Sequence, residues 1–189
     1  MNLEVIIAST RPGRIGKEVA DWFVDYAKAN SDFDVTVADL AEINLPMYDE
    51  PNHPMTGRYT KEHSKAWSQR IDKADAFVIV TPEYNYSMPP ALVNAIDYLY
   101  KEWTYKPVGF VGYGGVGAAR AIQMEKQLVT ALGMMPLREA VSLVGVSSMS
   151  PDPFEPNVRN EKSADTMLAE LKKWSEALQP LHSKEPAYV

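Results

Sequence analysis

Ala76-Phe77-Val78-Ile79-Val80-Thr81-Pro82-Glu83-Tyr84-Asn85-Tyr86-Ser87-Met88-Pro89-Pro90 runs from an unbroken apolar stretch into a proline-bounded, aromatic and amide-rich loop. An apolar run of this kind reads as a strand with helices over both faces, at the centre of a parallel sheet. Upstream, Val5-Ile6-Ile7 is a second such run, and Ile15, Val19, Trp22, Phe23 and Tyr26 follow it at helical spacing. Val35 and Val37 mark another strand, and Trp67, Ile71 and Ala74 a second helix. Downstream, Pro89-Pro90 suits the first turn of a helix carrying Leu92, Ile96 and Leu99. Val108 to Val111 form a strand that ends in glycines, and Ala118, Ile122, Val129 and Leu132 share one helix face. Val141 to Val146 read as a fifth strand, and Ala164, Met167, Leu168, Leu171, Trp174 and Leu178 as a last helix. Residues 41–60, with Pro46, Pro51, Pro54 and Gly57, read as an unusually long loop, and residues 147–160 as a Pro-rich one.

Strict β-α alternation implies a parallel sheet with right-handed crossovers. Five strands predict an α/β fold with a flavodoxin-like, doubly wound sheet of order 2-1-3-4-5, its ligand crevice at the carboxyl ends of strands 1 and 3. The 189 residues, 46% of them hydrophobic, suit one domain over residues 1–180 with a flexible tail at 181–189. A net charge of −6 is the wrong sign for a chain that clamps nucleic acid or an anionic membrane. The absence of cysteine excludes disulfides, thiolate nucleophiles and Cys-type metal sites, so redox chemistry needs a borrowed cofactor. Neither a signal sequence nor a membrane-spanning run stands out, and a cytoplasmic protein is expected.

The most unusual segments fall after strands 1, 3 and 4, where the topology puts the crevice. Ser9-Thr10-Arg11-Pro12-Gly13-Arg14-Ile15-Gly16 joins a strand end to a helix start and offers hydroxyls, guanidinium groups and backbone N–H donors. It reads as an anion site, or else as a helix cap with two solvated arginines. Thr81 to Ser87 is a preorganised loop whose tyrosine and amides suit a planar heterocycle, or an ordinary turn in which Asn85 or Ser87 caps the next helix. Gly112-Tyr113-Gly114-Gly115-Val116-Gly117 matches G-x-G-x-x-G, but Glu139 falls at the start of the next strand and Ser147 at its end, where a dinucleotide fold wants an acid. Its glycines are better explained by close approach of backbone to a flat ring, with Tyr113 either a lid or a packed strand end. His53, His63 and His182 share no ligand spacing, so no metal is expected, and no G-x-S-x-G supports a hydrolase. Tyr98, Tyr100 and Trp103 form either a homodimer contact or packing beneath the 41–60 loop.

Together these motifs resemble the NAD(P)H-dependent FMN reductase family of flavodoxin-like proteins, which includes flavin, quinone, azo-dye and chromate reductases. The first loop resembles the family's phosphate loop. Pro82-Glu83-Tyr84-Asn85-Tyr86-Ser87 with the following helix resembles its central ring loop, and Gly112-Tyr113-Gly114-Gly115 its second ring loop. The resemblance implies FMN as cofactor, NADPH or NADH as hydride donor, and a small-molecule acceptor. Ser9, Arg11, Ile15 and Gly16 would hold the phosphate, Pro82, Glu83, Tyr84 and Asn85 the ribityl chain and ring, and Gly114 and Gly115 the ring's pyrimidine edge. No side-chain acid or base is required, so no catalytic residue is nominated. A homodimer or dimer of dimers is expected. The rival readings are a flavodoxin-type electron carrier and a non-redox binding protein on the same fold.

Overall fold

Five strands alternate with helices, as the two periodicities demand. The computed structural model describes residues 1–147, 149 and 154–182. The elements are β1 (Asn2–Ile7), α1 (Gly16–Asn30), β2 (Asp34–Asp39), α2 (Leu40–Ile43), α3 (Glu62–Asp72), β3 (Ala76–Pro82), α4 (Pro90–Asp97), β4 (Pro107–Gly114), α5 (Ala119–Ala131), β5 (Met135–Val144) and α6 (Val158–Leu178). All pairings are parallel, in the order β2-β1-β3-β4-β5. The expected topology is therefore the observed one, and β3, buried along its whole length, is the central strand.

Alternation along β3 splits its side chains between two cores. Ala76, Val78 and Val80 face α1 and α6, while Phe77 and Ile79 face α3, α4 and α5. Each fully buried Phe, such as Phe77 or Phe110, contributes about 1.5–3 kcal/mol of transfer free energy. Helix α6 starts cleanly because Asn157 accepts from the Arg159 and Asn160 N–H groups while Asn160 reciprocates, a capping box. The expected tail falls almost wholly on residues 183–189, which lie outside the described residues.

The fifth strand begins at Met135, six residues before the apolar run that announced it. Leu137, Val141 and Leu143 point inward, but Glu139 occupies the slot between them, and the register slips between Val108 and Phe110. That polar residue and irregularity break the period-2 signal, and Pro136 is tolerated because β5 is an edge strand. Glu139 is thus in mid-strand rather than at its start, and Val146 lies beyond the strand's end.

Candidate active site

A cleft opens at the carboxyl ends of β1, β3 and β4. Arg11, Arg14 and Ile15 reach it from the first loop, Pro82, Glu83 and Tyr84 from the second, and Tyr113, Gly114 and Gly115 from the third. Val146, Ser147 and Met149, which sequence reasoning missed, close its far side. They carry no motif, and only the position of the β5 end brings them there. Ser9 and Gly16 lie behind the wall: a Cβ on Gly16 would stand 2.3 Å from Ser9 Oγ and 2.4 Å from the Tyr113 hydroxyl. Asn85 sits apart from the lining residues, at an exposed turn.

The two arginines of the first loop have different employments. Arg14 forms a two-pronged bond with Asp39 at the end of β2, Nη1 to Oδ1 at 2.7 Å and Nη2 to Oδ2 at 2.6 Å, and also donates to the Ser9 carbonyl. Burial pushes the Asp39 carboxyl up, but hydrogen bonds from Arg14 and the Ala41 N–H outweigh it and hold the group below the usual range. Arg14 therefore brings no uncompensated charge to the cleft, contrary to the reading of both arginines as anion ligands. Arg11 is exposed at the rim, its guanidinium 5.8 Å from the Tyr84 ring centre.

Helix α1 starts at Ile15 and Gly16 with no side chain capping it. Ser9 Oγ is fully buried with no well-formed hydrogen bond, the Tyr113 hydroxyl beside it being pushed up to about 12 by burial. Tyr113 is therefore a packed strand end and not a lid, 5% exposed.

The second loop is a tight turn. Tyr84 and Ser87 exchange backbone hydrogen bonds of 2.9 Å, with Asn85 and Tyr86 both left-handed at φ 50° and 66°. Neither Asn85 nor Ser87 caps α4, which starts at Pro89 without a side-chain bond. The Glu83 carboxylate turns to α5, accepting from the Arg120 N–H at 3.0 Å and from the Arg120 side chain, and lies below its ordinary pKa for that reason. Arg120 also covers the Tyr86 ring at 3.8 Å. Of the two helix starts beside the cleft, α5 has its N–H groups bonded by Glu83, whereas α1, with Glu18 in its first turn, has no side chain bonded to its N-terminal N–H groups among the described residues.

In the third loop the glycines divide. Added carbons on Gly112 and Gly117 would strike the Gly117 carbonyl at 2.3 Å and Ser142 Oγ at 2.0 Å, so these two serve internal packing. Gly114 and Gly115 have nothing within 4 Å of that position and face open space. The G-x-G-x-x-G match is thus a turn that leaves bare backbone at the cleft, and no acid ends β5.

The 41–60 segment is folded, with α2, a 3-10 turn at Pro54–Thr56, and Glu50 accepting from the Thr60 N–H and hydroxyl and the Lys61 N–H. Tyr98 and Trp103 are buried, Tyr98 against Tyr48 of this segment, and Tyr100 is half-buried, so Tyr98 and Trp103 pack inward beneath the segment. His63 meets Asp49 at 2.9 Å, while His53 Nδ1 accepts from the Met55 N–H within a turn. Among the described residues no group of three metal-ligating side chains forms, and no helix is long and apolar enough to cross a membrane.

A doubly wound sheet with an open cleft at its topological switch point, ringed by an uncapped helix start and bare glycine backbone, defines a flavodoxin-like nucleotide-cofactor protein. Residues 1–147 match the family described as NADPH-dependent FMN reductase, and the chain belongs to that family of oxidoreductases. It is similar to an NAD(P)H-dependent FMN reductase of Schizosaccharomyces pombe, 40% identical over 141 residues, covering 74% of this chain and 69% of that one. Similarity to the Escherichia coli quinone reductase is lower at 28% but spans 95% and 96% of the two chains. Among solved structures, the NAD(P)H:(acceptor) oxidoreductase from Paracoccus denitrificans superposes with a TM-score of 0.65 at 21% identity, covering 95% and 97%, which shows the shared fold. The chain is an FMN-dependent NAD(P)H oxidoreductase.

Proposed function

We propose that the cleft is the FMN site and that quinones are the electron acceptors. The carrying observation is that Arg11, Ile15, Pro82, Glu83, Tyr84, Gly114 and Gly115, nominated from three separate loops, line one cleft. The donor set fits: the uncapped first turn of α1, the buried Ser9 hydroxyl and Arg11 suit a phosphate, and the open space over Gly114 and Gly115 suits a flat ring. Bound FMN would supply two-electron chemistry between NAD(P)H and the acceptor.

The chain's own work is to hold and orient. Backbone N–H groups of residues 15 and 16, with Arg11, would hold the phosphate end, each charge-assisted bond contributing about 1.5–3 kcal/mol. The paired turn at Tyr84 and Ser87 presents the tyrosine as a wall, and the backbone at Gly114 and Gly115, open to the cleft, would support the charge of the reduced ring. Glu83 lines the cleft while its carboxylate is tied to the start of α5, which anchors the loop.

Quinones are favoured because the relatives include the Escherichia coli quinone reductase and a 2-hydroxy-1,4-benzoquinone reductase of a Burkholderia species. A homodimer is supported by Tyr86, Val116 and Met149, apolar and 69%, 44% and 88% exposed beside the cleft. Sedimentation at micromolar concentration should give twice the chain mass.

The test of the site is direct. Purified chain mixed with FMN should quench its fluorescence at one equivalent per chain, NADPH should bleach the bound absorbance, and added benzoquinone should restore it. A chain that takes up no FMN overturns the reading, and bound FMN that quinone leaves bleached overturns the acceptor assignment.

A further inference from the structure

Helix α5 turns Ala121, Ile122 and Val129 into the core, and Glu125 shares that face. It is fully buried, and among the described residues it bonds the Thr81 hydroxyl at 2.5 Å through Oε1 while Oε2 meets no hydrogen-bond partner. The charged groups of the surrounding elements are occupied elsewhere: Lys126 reaches the Arg138 carbonyl near the Phe110 ring, and Glu83 pairs with Arg120 at the first turn of the helix. An ionised carboxylate buried without a cation is costly, and burial pushes this one up to about 8 against the opposing pull of Thr81.

At neutral pH Glu125 is therefore a donor, and its hydroxyl has Thr81 Oγ1 as acceptor. The Thr81 proton then goes to the Pro82 carbonyl, 3.1 Å away. Pro82 is the first residue of its loop to line the cleft, and its trans peptide carries the Glu83 N–H on the side opposite the tethered carbonyl. The chain from Glu125 through Thr81 to Pro82 fixes the plane of the peptide that opens the central loop. We propose that Glu125 is a positioning residue for the cofactor site, orienting the Pro82–Glu83 peptide through the Thr81 hydroxyl.

The inference rests on the cleft being the FMN site. When Glu125 ionises it becomes an acceptor, draws the Thr81 proton to itself and releases the Pro82 carbonyl. Riboflavin and FMN dissociation constants should be measured from pH 6 to 9.5 for the wild type, Glu125→Gln and Glu125→Leu. Gln keeps a donor at this position and does not titrate, so it should match the wild type at pH 6.5 and stay level relative to it while wild-type affinity falls at high pH. Leu supplies no donor and should weaken both ligands about tenfold at all pH values, the worth of one oriented hydrogen bond. Urea unfolding of each apo-protein checks folding, and if Leu does not fold, Thr81→Val against Thr81→Ser replaces it, with Ser retaining affinity and Val losing it. Parallel pH profiles for wild type and Gln, or full affinity in Leu, overturn the inference while leaving the FMN site intact. Wild-type protein that binds neither ligand overturns the site reading instead.

Discussion

Arg14 and Asp39 face each other fork to fork, 15% and 5% exposed, across the seam between the first loop and the end of β2. One of the two arginines in the phosphate-loop motif is thereby consumed in holding the loop's shape. The other, Arg11, remains at the rim of the cleft.

Arg11→Ala and Arg14→Ala should therefore differ in kind. Loss of Arg11 should weaken FMN about 10- to 100-fold and riboflavin less than about twofold, because the role proposed for Arg11 is a bond to the phosphate. Loss of Arg14 leaves Asp39 without its partner and should cost about 2 kcal/mol of stability, between the exposed and buried ion-pair ranges, with both ligands affected alike. Fluorescence titration with the two flavins and urea unfolding separate the cases.

The pH dependence of that pair has a definite sign. Asp39 is held below its ordinary pKa, so its contribution is present above the unfolded value and is lost as the pH falls through the folded one. Wild type should lose stability relative to Asp39→Asn as the pH is lowered from 5 toward 2, read from thermal midpoints.

Glycine substitutions separate fold from site. Gly16→Ala would drive a carbon against Ser9 and Tyr113 and should cost about 1–3 kcal/mol. Gly115→Ala meets nothing and should leave the thermal midpoint unchanged, yet FMN affinity should drop about tenfold if the ring lies over this backbone. Unchanged affinity in Gly115→Ala would remove the ring from that face.

Glu125 gives the opposite pH sign from Asp39. Its folded pKa is raised to about 8, so the stability it confers is complete below the unfolded carboxylate value and declines as the pH rises toward 8. Glu125→Gln should gain thermal stability relative to wild type between pH 5 and 8, by about 2–4 °C for each 1 kcal/mol. Differential scanning calorimetry across that range checks it.

Initial-rate kinetics test how the cleft is shared. NADPH and quinone entering the same opening in turn should give parallel double-reciprocal lines. Intersecting lines would require a second binding surface.

The order of elements, the sheet topology and the three cleft-forming loops were legible from sequence because they depend on local signals: a period of 2 or 3.6, and glycine or proline where the chain must turn. β3 announced the centre of the sheet by its unbroken apolar run. What tertiary structure alone decided is the partner of each polar group: Arg14 finds Asp39 25 residues away, Glu83 finds Arg120 37 away, and Thr81 finds Glu125 44 away. Periodicity placed Tyr98 on α4's flank, but whether it met solvent or Tyr48 depended on how residues 41–60 folded back. The start of β5 was hidden by Glu139 and a shift of register against β4. Composition states which side chains carry charge; the packing of distant elements determines which charges are already spent when a ligand arrives, because a buried ion is retained only where a partner or a proton compensates it.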